Sequence, residues 1–148
     1  MSESQSNLEV ESVIRQTVVS LIHAFNKTDW ATVRGCLSDD FGGSAVVHSG
    51  GRESISGADQ MLSVMKEIVN QRAGINTMSV LGEMEIKVQG DSAHVMVYQV
   101  AYLYPAAKVA GPSSTSGSIA NYDLRRESNG WKVTAFDVDR VWLKGEPY

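Results

Sequence analysis

At 148 residues with a net charge of −4, the chain has the size of one domain with a sizeable core, and it lacks the basic patch that a nucleic-acid partner would require. Its single cysteine, Cys36, excludes an internal disulfide and any cysteine-based zinc cluster. The polar start, Met1 to Asn7, and the absence of an apolar run near 20 residues leave no signal peptide or membrane span, so the expectation is a cytoplasmic domain over residues 1–148 with no membrane partner. The first helix is expected over 7–26: Ser6 and Glu9 have capping-box spacing, and Val10, Val13, Ile14, Val18, Leu21, Ile22 and Phe25 recur with helical period. After a polar break, Thr28 or Asp29 can cap a second helix that buries Trp30, Val33 and Leu37 and stops at Ser38-Asp39-Asp40. Asp39 and Asp40 have no second ligand cluster, so no metal is implied.

Phe41 to Ser49, Gly50-Gly51 and the following RESISG suggest a hairpin, with a bulge or a close approach at Gly42-Gly43. Ser56 and Asp59 again have capping-box form, and Met61, Leu62, Met65, Ile68 and Val69 supply the buried face of a third helix. The period then changes to 2, with Val80, Gly82, Met84, Ile86 and Val88 on one face of a strand. Ala93 to Tyr104 is apolar on both faces: Val95, Val97, Ala101 and Leu103 on one, Met96, Tyr98, Val100, Tyr102 and Tyr104 on the other. This marks a central strand and, through its second apolar face, a homodimer. Residues 105–117 read as a long loop, expected to move at the mouth of a pocket. Strands over 119–127 and 131–143 flank an Asn129-Gly130 turn. Helices segregated from an antiparallel meander make an α+β fold.

The order of these elements, with AFNKTDW at the first helix end, GINTMSVLGEMEIKVQGDSAHVMV through the third strand, NYDLRRESNGWKV at the last hairpin and VWLKG near the end, resembles the NTF2-like superfamily and its SnoaL-like group. The resemblance implies a cone: three N-terminal helices on a strongly curved, mostly antiparallel sheet that encloses an apolar pocket. Members include dehydratases, isomerases, polyketide cyclases and non-catalytic subunits, so the site must decide the function. The dehydratases carry an Asp and a His at the positions that fall here on Asn26 and Ser79, and an aromatic that falls on Phe25. Asn cannot exchange a proton near neutral pH and Ser is a poor base without an activator. The tyrosine of the ketosteroid isomerases falls on Leu21.

The run AFDVDRVW resembles the acidic last strand of the cyclases and makes Asp137 and Asp139 candidate bases. Alternation puts both on one face with Ala135 and Val141, either inside the pocket or paired with Arg140 or Arg125 outside it. His48, late in the first strand, is a candidate proton shuttle or a rim residue. Phe25, Trp30, Ser79, Tyr98, Tyr102 and Tyr122 are candidate ligand contacts, since rings with polar tips suit a pocket for a flat compound; burial in a dimer is the alternative for the tyrosines. Three functions follow: a cofactor-free lyase, isomerase or cyclase acting on a small apolar ring compound; a non-catalytic binding module for such a compound; or a subunit-assembly module.

Overall fold

The computed structural model describes residues 3–46, 52–106 and 112–146. Helix α1 (Glu3–Lys27) is followed by α2 (Trp30–Cys36), the strands β1 (Gly42–Val46) and β2 (Arg52–Ser56), α3 (Ala58–Gln71), and then β3 (Ile75–Gln89), β4 (Ser92–Pro105), β5 (Ser114–Glu127) and β6 (Gly130–Gly145). The first two strands form an antiparallel ribbon, and the last four form an antiparallel meander in the order β3-β4-β5-β6. The α+β architecture, three helices on a curved and mostly antiparallel sheet, is as the element order implies. No helix among the described residues is long and apolar enough to cross a membrane.

Helix α1 begins earlier than Ser6 and Glu9 suggest, and Val13 is half exposed, so the buried stripe runs through Ile14, Val18, Leu21 and Ile22. Asp29 caps α2 as expected, its carboxylate accepting from the Thr32 amide at 3.2 Å and the Thr32 hydroxyl at 2.7 Å. Thr28, just before it, takes a left-handed φ of 57° to close α1. The second capping box is only half formed: Gly57 is the N-cap of α3 without a side-chain bond, while Gln60 reaches back to accept from the Ser56 amide at 2.7 Å. Gly42 and Gly43 pair in regular register with Ser56 and Ile55, so there is no bulge between them. The Gly50-Gly51 turn and residues 107–111 of the expected long loop lie outside the described residues. The described part of that loop is short, because β5 already starts at Ser114.

The inner face of the meander packs on the helices through Met84, Val95, Val97, Ala120, Tyr122, Leu124 and Val133. The core joins these to Ile14, Val18 and Leu21 of α1 and Met61 and Met65 of α3. Three one-residue bulges decide which side chains share this face. In β3, Leu81 pairs with Gln99 but Met84 pairs with Val97, so one extra residue enters at Gly82-Glu83. The expected face of Val80 with Met84 is thereby split: Val80 is half exposed on the outer face, and Leu81 packs on the core instead. Gly82 suits this place because a Cβ there would lie only 3.1 Å from the Tyr98 carbonyl oxygen. In β6 the register slips again at Thr134 and at Val141.

The third slip sets Trp142 opposite Gly117, and the indole lies over the glycine where any Cβ would collide with the ring. Gly117→Ala is expected to push Trp142 off the sheet and to cost about 1–3 kcal/mol, as overpacking does. Denaturant unfolding should show the loss, and the tryptophan emission of the folded protein should shift.

Candidate functional site

The wall of the inner face changes character toward the end of the sheet where β3 begins. There the side chain of Asn26, in the last turn of α1, donates to the Ser79 hydroxyl of β3 at 2.9 Å. Helix and strand thus bring together the two positions at which the dehydratases of the resemblance carry their acid and base, and the pair here is neutral. Phe25 and Trp30 flank it at the helix corner, with ring centroids 6.2 Å apart in an edge-on arrangement; the Lys66 ammonium lies 5.9 Å from the Trp30 ring.

Further along the same face the ladder aligns Leu81, Gln99, Ser118 and Arg140 side by side across four strands. The Gln99 side-chain oxygen is buried and has no hydrogen-bond partner among the described residues. Arg72, the C-cap of α3, is half buried nearby; burial first, then the charge of Arg140, hold its guanidinium below the ordinary value. Sequence reasoning overlooks this row, although Gln99 is signalled as a polar residue in phase with Val95, Val97, Ala101 and Leu103. Arg140 is hidden by the bulges of β6.

The other candidates are distributed over both faces. The slip at Thr134 carries Phe136 inward, where its ring meets Phe41 at 5.4 Å and Tyr122 at 5.9 Å. It therefore turns Ala135, Asp137 and Asp139 outward, in register with Asp123, Asn121 and Ile119. Both aspartates are exposed on the face opposite Asn26 and Ser79. They do not share a face with Val141, which is itself the bulged residue. Arg125 pairs instead with Glu127 and Asp40. Tyr98 and Tyr102 also point outward, Tyr98 being 59% exposed, whereas Tyr122 is 4% exposed in the core, where burial pushes its hydroxyl pKa up. The three tyrosines do not line one surface. His48 lies outside the described residues. Asp39 and Asp40 are exposed and ion-paired, with Arg34 and Arg125 respectively.

A family model described as a SnoaL-like domain matches residues 6–137. The chain belongs to this SnoaL-like family. No curated protein matches it significantly in sequence. Among solved structures, the SnoaL-like chain is similar to a scytalone-dehydratase-like protein from Novosphingobium aromaticivorans, with 12% identity, 98% of this chain and 93% of that one covered, and a TM-score of 0.78. It is also similar to a type 2 hexachlorocyclohexane dehydrochlorinase, LinA, at 10% identity, 98% and 94% coverage and a TM-score of 0.77. A third likeness is to a Catenulispora acidiphila protein in complex with S-DNPA, at 13% identity, 90% and 94% coverage and a TM-score of 0.70. At these identities the likeness shows the shared fold.

A paired histidine and aspartate does occur in this SnoaL-like domain, on the outer face. His94 Nδ1 lies 2.8 Å from Asp123 and its Nε2 2.9 Å from the Asn121 side-chain oxygen. Both ring nitrogens face acceptors, which favours the doubly protonated cation and leaves neither nitrogen open for substrate. The hydrogen bond to Asp123, set against partial desolvation and aided by the bond to Asn121, raises the His94 pKa above its usual 6.5. A group whose pKa rises on folding stabilises the fold below its unfolded value and loses that contribution as pH climbs through the folded one. The wild-type protein should therefore be more stable than His94→Gln near pH 5.5, and the difference should shrink toward pH 8.5 in denaturant titrations.

Proposed function

We propose that the protein binds a small apolar, cyclic compound between its helices and the inner face of the meander, and that it does so without proton-transfer chemistry. The observation that carries this reading is the hydrogen-bonded Asn26–Ser79 pair: it stands where an acid and a base would stand, and neither group titrates near neutral pH. Phe25 and Trp30 at one end and the aligned Gln99, Ser118 and Arg140 at the other offer apolar area with a few polar anchors, the composition of a ligand site. The outward placement of Asp137 and Asp139 argues against their serving as bases toward the same space. A cofactor-free lyase or cyclase is the second reading, favoured only by the enzyme names among the structural neighbours. Its remaining candidate base is His48. The whole chain, residues 1–148, acts as one unit in this proposal, and a buried, unpaired Cys36 suits a cytoplasmic setting.

Native mass spectrometry of the protein from its own host, followed by denaturation, is expected to release one ring compound per chain. On re-incubation that compound should be recovered chemically unchanged. Conversion of the compound would overturn the non-catalytic reading in favour of the second.

The same proposal includes a homodimer. Met78, Val80, Tyr98 and Trp142 are each about half exposed on the outer face, at 53, 51, 59 and 47%, around the more sheltered Val100 and Ile119. A patch of this kind is what a second sheet covers. Light scattering should give twice the chain mass, and Tyr98→Asp should halve it.

A further inference from the structure

The second half of β6 is exposed on both faces. Every residue from Asp137 to Gly145 is open to solvent, whereas Trp131 and Val133 at the start of the same strand are buried. One edge of this stretch pairs with β5. The other meets no strand among the described residues, because β6 ends the order β3-β4-β5-β6 and β1 and β2 form a ribbon of their own. The ribbon approaches β6 ahead of this stretch: a Cβ on Gly43 would lie 3.9 Å from that of Ala135. An open edge presents backbone N–H and C=O groups that have no ladder partner and is a template for another strand. Four apolar side chains stand along this one, Val138, Val141, Trp142 and Leu143, between 36 and 61% exposed.

Proteins blunt such edges with charges and bulges, and β6 has both: Asp137, Asp139, Arg140 and Lys144, with the extra residue at Val141. Their arrangement is self-complementary. Asp137, Asp139, Trp142 and Lys144 lie opposite Asn121, Ile119, Gly117 and Thr115, alternate residues of β5, and therefore share the outer face. Val138, Arg140 and Leu143 lie opposite Ala120, Ser118 and Ser116 and share the inner one. Asp137 and Lys144 are an odd number of positions apart, so without the bulge they would fall on opposite faces. With it, a second β6 can lie antiparallel along the edge, the two-fold axis passing between Arg140 and Val141. Asp137 of each copy then faces Lys144 of the other on the outer face, and Val138 meets Leu143 on the inner face.

We propose that the free edge of β6 is an interface between two copies of the chain, paired antiparallel so that two four-stranded meanders become one continuous sheet. It goes beyond the outer-face contact described above and is compatible with it, since one contact uses a face of the sheet and the other its edge. Charge selects a second copy as the occupant. A neutral strand offers no opposite charge to Asp137 or Lys144, whereas a second β6 offers one to each, twice over. The contact joins few side chains, so it belongs to the weak class of interfaces and forms at high protein concentration.

The test is sedimentation velocity on the full-length Tyr98→Asp protein, a background that removes the outer-face contact, from about 10 µM to about 1 mM, where a weak interface is read. This protein is expected to pass from one chain to two across that range. Asp137→Lys or Lys144→Asp, each added to it, places like charges at both ends of the pairing and should weaken association roughly tenfold or more. An equimolar mixture of the two variants should pair as well as the parent, because one copy is then basic at both positions and the other acidic at both. The substituted side chains are all exposed, and circular dichroism checks that each variant is folded. A Tyr98→Asp protein that stays a single chain at the top of the range would overturn the inference. So would charge variants that associate like their parent, or a mixture that stays apart. None of these outcomes bears on the ligand-binding reading.

Discussion

The structure hangs on the seam where the helical layer meets the last strand. Leu37 forms a parallel bridge with Val133, and the buried Ser38 donates its amide to the Val133 carbonyl at 2.9 Å. The Ser38 hydroxyl in turn donates to Glu127 at 2.7 Å, while Arg125 holds Glu127 at 2.6 Å and reaches Ser38 and Asp40 at 3.1 and 3.2 Å. Arg34 closes the other side by bridging Asp39 and Asp59, so that the end of α2 is tied to the start of α3. These contacts are mostly solvent-exposed and individually weak. Their effect is geometric: a short helix is pinned to both the sheet and α3, and Phe41 is delivered against Phe136, whose ring in turn meets Tyr122. The hydrogen bond from Ser38, and next the one from Arg125, keep the Glu127 pKa below its usual value, so the seam is intact across the neutral range.

What the sequence makes legible follows from how local each signal is. Helix α2 with its Asp29 cap and the two-faced strand β4 depend on neighbours within a few positions and are found where the residues imply, while the last hairpin turns one residue earlier than expected, at Ser128-Asn129, with Gly130 opening β6. The meander order also follows, because successive strands joined by tight turns pair with one another. The candidate site was legible only in part. The juxtaposition of Asn26 and Ser79 is carried by the family resemblance, not by any periodicity, since 53 positions separate them. The side-chain directions of Asp137, Asp139, Arg140 and Val80 were not legible, because each depends on a one-residue slip against a partner strand. Period-2 reasoning assumes an uninterrupted ladder, and a slip reverses every residue beyond it.

The functional picture joins two facts about polarity. On the last strand Asp137 and Asp139 point outward together with Lys132 and Lys144, and Arg140 is in phase with the inner row. The described inner face displays neutral amides and hydroxyls at Asn26, Ser79, Gln99 and Ser118, groups that do not take up a proton near neutral pH. The outer face, by contrast, mixes apolar residues with the His94–Asp123–Asn121 cluster. The same sheet thus presents two faces of different character, one packed on the helices and one carrying half-exposed apolar side chains.

The bulge at Thr134 has an evolutionary consequence. Removing that one residue would restore the plain ladder, exchange the two sides of the strand beyond it, and swing Asp137 and Asp139 inward as Phe136 and Val138 swing out. A single-codon deletion or insertion in such a strand can thus trade an apolar wall for an acidic one without substituting any side chain. In a fold shared with proteins named as a dehydratase and a dehydrochlorinase, that is a short mutational path between an apolar and an acidic wall, and one that comparison of residue identities at aligned positions would miss.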